Sequence, residues 1–196
     1  MIDISILDKL SYKSNLNKSL KNTLRKFNKE DIMTELLDIR GFYEKNQLLT
    51  TIKFDYRIKS FQSSLLKYDK YFPSTELKKC FNDLLGFRIV IDNYNELDNI
   101  SLENFRIADM RNGKANDDGY RGIHLYYQKS NRHYPIELQI NTVKDRIFND
   151  WLHQELYKYV SNNNIGIELR KKYDDGIITS LEDFKGELKK HVLYNI

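Results

Sequence analysis

"GYRGIHLYYQKSNRHYPIELQINT", Gly119 to Thr142, is the stretch whose reading decides the fold. It divides into a strand-like "YRGIHLYYQK", a polar turn "SNRHY" and a second strand-like run, "PIELQINT". In the second run Ile136, Leu138 and Ile140 point one way, and Glu137, Gln139 and Asn141 the other. A hairpin with one apolar face calls for a core beneath it. Its entrance, "DDGYRGIH" from Asp117 to His124, uses two of the chain's 8 Gly and one of its 4 His. A turn into a strand needs the Gly and an Asp, but has no use for Tyr, Arg and His together.

Working outward, "FRIVID" (Phe87 to Asp92) and the segment from Asn104 to Ala108 read as further strands, with a short helix between them in "NYNELDNISLEN". "TIKFDYRIK" alternates cleanly, with Ile52, Phe54, Tyr56 and Ile58 opposite Thr51, Lys53, Asp55, Arg57 and Lys59. Helices are expected from Phe61 to Tyr71 and from Ser74 to Leu85, the second capped by Ser74 or Thr75. Residues 3–48 have helical spacing, with Leu20, Leu24 and Phe27 on one side, then Ile32, Leu36 and Ile39. After the hairpin, Val143 to Val160 turns helical with Ile147, Trp151 and Tyr157 as core candidates, and two more helices follow at Ile167 to Tyr173 and Thr179 to Tyr194. The pattern predicts an α+β fold: a central mixed sheet of four or five strands flanked by helices. The expected organisation is a single domain, with an N-terminal helical segment (1–50), a core (51–160) and C-terminal helices (161–196) packed on it.

The 196 residues are 40% hydrophobic and 31% charged, ordinary for a globular protein. No apolar run reaches membrane-spanning length and the first residues lack a signal-peptide pattern, so a cytoplasmic protein with no membrane partner is expected. A single cysteine, Cys80, excludes an internal disulfide and reads as a buried small side chain. The net charge of +4 is modest. Basic residues do cluster at Lys18, Lys21, Arg25, Lys26 and Lys29 and at Arg170, Lys171 and Lys172, as solvated helix faces or as contacts to a polyanion.

Neither of the two common glycine-rich phosphate loops is present, nor an H-E-x-x-H pair, nor a G-x-S-x-G elbow. What remains is a set of polar residues on strands and at strand ends. Arg57 and Lys59 share a strand face, and Ser63 and Lys67 continue down the next helix, so three cations and a hydroxyl can converge on a polyanion such as a triphosphate. Asp83, just ahead of one strand, and Glu137, within another, can hold Mg²⁺ through oxygen ligands if those strands are neighbours. An exposed Tyr120 beside Gly119 suits stacking on a base, and His124 can reach a phosphate.

Taken in order, "RIKSFQSSLLK", "DLLGFRIV", "GYRGIH" and "IELQINT", with His153 sixteen positions after Glu137, resemble the RelA/SpoT alarmone synthetases, from about Thr51 to Tyr159. The resemblance implies a nucleotidyltransferase-like fold in a small, synthetase-only member. It also implies a Mg²⁺-dependent pyrophosphokinase that moves the β,γ-pyrophosphoryl group of ATP to the 3′-hydroxyl of GDP or GTP, giving (p)ppGpp and AMP. On that likeness Arg57, Lys59, Ser63, Lys67 and Arg88 would hold ATP, Asp83 and Glu137 would be catalytic and bind the metal, and Tyr120, His124 and Gln139 would hold the acceptor.

Departures cluster on the acceptor side. Asp118 stands where the family usually has Asn, Asn141 where it has Arg, "RIADM" where it has "KDYI", and the segment between Arg88 and Tyr120 is shorter. Two other readings therefore stay open. One is a toxin-like relative acting on the tRNA 3′ end or making an adenosine alarmone, and the other is an inactive nucleotide- or RNA-binding module. The expected partners are ATP and a guanosine nucleotide, with tRNA as the alternative acceptor and a homo-oligomer as the candidate assembly.

Overall fold

The computed structural model describes residues 3–157 and 163–193. Its helices are α1 (Ile4–Leu10), α2 (Lys29–Glu44), α3 (Leu48–Thr51), α4 (Phe61–Tyr71), α5 (Leu77–Cys80), α6 (Val143–Trp151), α7 (Asn163–Asp174) and α8 (Leu181–Leu193). The strands β1 (Asp55–Ile58), β2 (Leu85–Ile91), β3 (Phe105–Asp109), β4 (Ile123–Tyr127) and β5 (Ile136–Thr142) form one mixed sheet in the order β1-β2-β5-β4-β3. The expected α+β class and strand number hold, and the hairpin's second strand lies at the centre. The chain divides into two compact units, one comprising residues 1–89, 101–107 and 124–139, the other 90–100, 108–123 and 140–196.

In the first unit, α4 covers the expected residues because Ser60 accepts a hydrogen bond from the Ser63 amide as its N-cap, while Ser64 and Tyr68 are buried one turn apart. α2 starts at Asn28, which accepts from the Glu30 amide, with Glu30 and Asp31 in the first turn where the helix dipole favours acids. Its inner face buries Ile32, Leu36, Ile39 and Tyr43. The continuous helical character expected upstream is not found. "SYKSNLNKSLKNTL" is rich in Ser and Asn, which compete for the backbone, and its amides bond instead to other loops: Ser14 to the Arg132 carbonyl (2.8 Å), Leu20 to that of Asn131 (2.8 Å) and Leu24 to that of Thr75 (3.0 Å). Leu20, Leu24 and Phe27 are still buried, so the apolar spacing served packing and not a helix.

Two further boundaries move. Of the expected nine-residue strand only Asp55–Ile58 pairs, with β2 in antiparallel register (Arg57 opposite Gly86), and Thr51 ends a single helical turn. β1 is an edge strand, which leaves Tyr56 at 42% exposure. The helix expected over Ser74 to Leu85 shrinks to α5, since Phe81, Leu84 and Leu85 are all buried and Asn82 and Asp83 are drawn to Lys67. Such tertiary contacts override helix propensity. Cys80 ends α5, buried as expected, and burial pushes its thiol up to about 12.

In the second unit Thr142 caps α6, and Phe148, Leu152 and Leu156 recur every four residues to bury one helical face, the last five residues in a wider π-turn. That register corrects the expected core: Ile147 is 41% exposed and its neighbour Phe148 is inside. Tyr120, Ile165, Leu169, Ile178 and Phe184 complete this cluster. Arg170 corrects another expectation. It is buried, donating to Asp145 at 2.6 Å and to Asp174 at 2.8 Å, so it belongs to the packing and not to a basic surface. The ends of two expected helices, residues 158–160 of the first and Tyr194 of the last, lie outside the described residues. No described helix is long and apolar enough to cross a membrane.

Glu35 is the polar node of the first unit. It is buried on α2, and its carboxylate accepts from Tyr134 Oη (2.6 Å), Ser14 Oγ (2.9 Å) and the Asn15 amide. Removing it strands buried donors, each costing about 1–3 kcal/mol. Glu35→Ala should therefore lose about 2–4 kcal/mol in urea unfolding with an unchanged m-value, and Glu35→Gln clearly less.

Candidate functional site

Seven residues of the first unit line one small cavity: Arg57, Lys59, Asp83, Gly86, Arg88, Glu137 and Gln139. The sheet order explains the convergence. β2 lies between β1 and β5, so Arg57 on β1, Gly86 and Arg88 on β2, and Glu137 and Gln139 on β5 meet across adjacent strands. Each set is spaced by two residues, which keeps it on one face. Asp83 sits just before β2, and Lys59, just after β1, is fixed by its amide bonding to the Leu84 carbonyl (2.9 Å).

The electrostatics are those of a charged site closed upon itself. Lys59 Nζ lies 2.8 Å from Asp83 Oδ2, and Lys67 Nζ lies 2.9 Å from Asp83 Oδ1 and 3.1 Å from Asn82 Oδ1. Burial alone would raise the Asp83 carboxyl, but Lys67 and Lys59 outweigh it and hold it below the usual carboxylate range. Glu137, 6% exposed, has one oxygen 3.0 Å from His124 Nδ1 and accepts from Gln139 Nε2 at 2.8 Å through the other. His124 Nδ1 is also 3.4 Å from Tyr126 Oη, and Arg106 stacks over the Tyr126 ring at 4.0 Å. Gly86 opens the floor, since a methyl group there would stand 3.4 Å from Glu137 Oε2.

The cavity measures about 40 Å³, room for an ion or a little water and not for a triphosphate. A far roomier open cleft, about 1070 Å³, is lined in the second unit by Tyr94, Arg111, Lys144 and Tyr173 among others. It offers one carboxylate, Asp92, and none of the residues expected to react. The charged residues expected to react line the smaller cavity instead. Two carboxylates facing one space are hard oxygen donors of the kind Mg²⁺ takes alongside phosphate oxygens. Among the described residues no group of three or more His, Cys, Asp or Glu could hold a metal by itself.

The structure thus brings together Arg57, Lys59, Asp83, Arg88, Glu137 and Gln139, with Lys67 and His124 bonded to the two carboxylates. Ser63 is not on the cavity wall; its Oγ accepts from Ser60 Oγ (2.9 Å) within the α4 cap. Tyr120, in the second unit, departs most from expectation. The ring is buried, not exposed, at 7%. It packs among Phe148, Leu152 and Leu156, and Lys114 Nζ lies 4.9 Å from its centroid. Gly119 adopts φ +87°, and a methyl group there would meet the Gly166 carbonyl oxygen at 2.3 Å, so this loop lies directly on the α7 backbone. Asn82, Gly86 and Tyr126 were not anticipated. Gly86 was visible in "DLLGFR" as a small residue two positions before an arginine, whereas Asn82 and Tyr126 carry no sequence signal of their own.

The family described as "Region found in RelA / SpoT proteins" matches residues 56–162. Similar solved structures include the small alarmone synthetase 1 from Bacillus subtilis bound to its product pppGpp, at 21% identity and TM-score 0.47, covering 82% of this chain and 89% of that one. The small alarmone synthetase 2 from Bacillus subtilis is 20% identical with TM-score 0.43, over 84% and 96%. A GTP pyrophosphokinase family protein from Streptococcus pneumoniae is 18% identical with TM-score 0.41, over 85% and 87%. No curated protein matches the sequence significantly. With more than half of its length inside the matched region, the chain belongs to the RelA/SpoT family of transferases.

Proposed function

We propose that the protein transfers the β,γ-pyrophosphoryl group of ATP to the 3′-hydroxyl of a guanosine nucleotide, GDP or GTP, releasing AMP. The observation that carries this reading is the convergence of Arg57, Lys59 and Arg88 with Asp83 and Glu137 on one cavity. Cations and acids in one space suit a metal-assisted phosphoryl transfer, which depends on positioning and charge neutralisation. A bare binding site for a polyanion has no need of the acids. Mg²⁺ held by Asp83 and Glu137 would supply Lewis-acid neutralisation of the phosphate oxygens.

The residues themselves divide the work. Lys59 and Lys67 exchange Asp83 for the phosphate chain when ATP arrives, which frees the Asp83 oxygens for the cation. Arg57 and Arg88 flank the same space and hold the donor in line. Glu137 accepts the proton of the attacking 3′-hydroxyl, directly or through one water, and His124 and Gln139 fix its carboxylate at hydrogen-bond distance. Within the second unit, the largely buried Tyr120 ring is the proposed contact for the acceptor base, once Lys114 moves off the face it covers. The tRNA alternative is weaker than the charge count suggests, because Arg170 is turned inward and Lys29 is paired with Asp69 at 2.9 Å. Chromatography of products from γ-labelled ATP and Mg²⁺, with GDP, GTP, ATP and tRNA as separate acceptors, tests the assignment. Label in tRNA alone, or in no acceptor, would falsify it.

Asp83→Ala and Glu137→Gln should each cut transfer by more than about 10²-fold, the scale of losing a principal electrostatic or proton-transfer group. Circular dichroism should stay at wild type, because both side chains face the cavity. Lys59→Ala should raise the KM for ATP and lower kcat together, as its charge serves both ground and transition states. Lys26→Ala, on an exposed surface, should change neither, and equal kinetics for the two lysine variants would move the phosphate site elsewhere.

A further inference from the structure

The second unit contains a polar arrangement that the proposed chemistry does not use. Asn141 and Asn149 are each 1% exposed, and both direct their side-chain amides at one main-chain group. Asn141 Nδ2 donates to the Arg121 carbonyl at 2.8 Å, and Asn149 Nδ2 donates to the same oxygen at 2.7 Å. Asn149 Oδ1 in turn accepts from the Arg121 amide at 3.2 Å. One side chain therefore satisfies both backbone groups of Arg121, as a neighbouring strand would, and a second fills the carbonyl's other lone pair.

The rest of the loop is built around this clamp. A methyl group at Gly122 would lie 2.4 Å from Asn141 Nδ2, so glycine at this position makes room for the amide. The Arg121 guanidinium folds back on Asp117 in a two-point pair at 2.7 and 3.0 Å and donates to the Tyr120 carbonyl at 2.8 Å. The Gly119 and Tyr120 amides bond to Asp117 Oδ1 and Asp118 Oδ1. Every one of these bonds falls on the five residues that carry Tyr120, and Asn149 comes from α6, whose Phe148 and Leu152 pack in the same cluster as the Tyr120 ring.

We infer that Asn141 and Asn149 are positioning residues for acceptor binding, acting through the backbone of Arg121 to hold the Tyr120 loop. This rests on the proposed role of Tyr120 and extends it to two residues that touch no substrate. It gives Asn141 a purpose that its place on the sheet does not suggest, since it faces the same way as Glu137 and Gln139 but binds main chain. The clamp's bonds lie within the second unit, whereas Arg57, Lys59, Lys67 and Asp83 belong to the first, so the expected effect is on the acceptor and not on the donor.

The test uses the full chain with Asn141→Ala and Asn149→Ala made singly, so that the other amide still serves the Arg121 carbonyl and folding survives. Urea midpoints establish that each variant is folded. The expected result is a KM for the guanosine nucleotide raised about 5- to 30-fold, the scale of one or two lost hydrogen bonds, with the KM for ATP within about twofold of wild type on the same scale. Hydrogen exchange of residues 119–122 should quicken in both variants while α2 stays protected. Unchanged exchange at 119–122, or faster exchange with an unchanged acceptor KM, overturns the inference and leaves the proposed function standing. A rise in both KM values also overturns it, since that marks a general loss of structure. If the wild-type chain transfers to no guanosine nucleotide, the functional reading fails and takes the acceptor role with it, and the exchange data then show only whether the clamp holds the loop.

Discussion

A strand in the middle of a sheet has no wet edge, yet β5 carries a carboxylate and two amides on one face. Glu137 and Asn141 are nearly inaccessible to solvent, and buried polar groups without partners cost several kcal/mol at the upper end of measured values. Much of the surrounding construction supplies those partners. His124 on β4 and Gln139 on β5 serve Glu137, and the Arg121 carbonyl serves Asn141. The hairpin that decides the fold thereby also holds the Glu137 carboxylate and, through Asn141, the Arg121 main chain.

The same demand for satisfaction recurs away from the sheet. Asp145 near the start of α6 accepts from Tyr94 Oη at 2.7 Å, Thr142 Oγ1 at 2.9 Å and Arg170 at 2.6 Å. Glu35 collects Tyr134, Ser14 and Asn15. Each unit therefore has an acid at its polar centre with donors from distant parts of the chain. Networks of this kind favour one arrangement of the core, because a half-satisfied alternative is costly.

Residues with strong local signals read correctly from sequence. Ser60 before an amphipathic run marked α4, and the alternation of Ile136, Leu138 and Ile140 marked β5. Among the cavity residues Arg57 and Lys59 were legible because period-two spacing puts them on one face, whereas Arg88 and Gln139 were named only through the family resemblance. What failed to read depended on partners distant in sequence. Leu20 and Leu24 are apolar at helical intervals but sit in a segment whose amides bond to loops at residues 73–75 and 131–132. Ile147 and Phe148 differ by one helical step, and only the register set by the Thr142 cap decides which is inside. Tyr120 beside a glycine suggested exposure, but that glycine allows the loop to lie on Gly166 and brings the ring into the core. Arg170 looked like surface charge until its two aspartates were in place.

If Asp83 holds the cation and the lysines the phosphate chain, as proposed, the pairing of Asp83 with two lysines couples two binding events. While Lys59 and Lys67 neutralise Asp83, the carboxylate is a poor ligand for a cation and the lysines are poor ligands for an anion. A divalent ion on Asp83 would then release the lysines, and a phosphate chain on the lysines would release Asp83. Thermodynamic linkage then requires each to raise the affinity for the other by the same factor. On the proposed assignment the donor nucleotide and its counter-ion enter as a neutralising pair, and a nucleotide without the ion meets a site already closed by its own salt bridges.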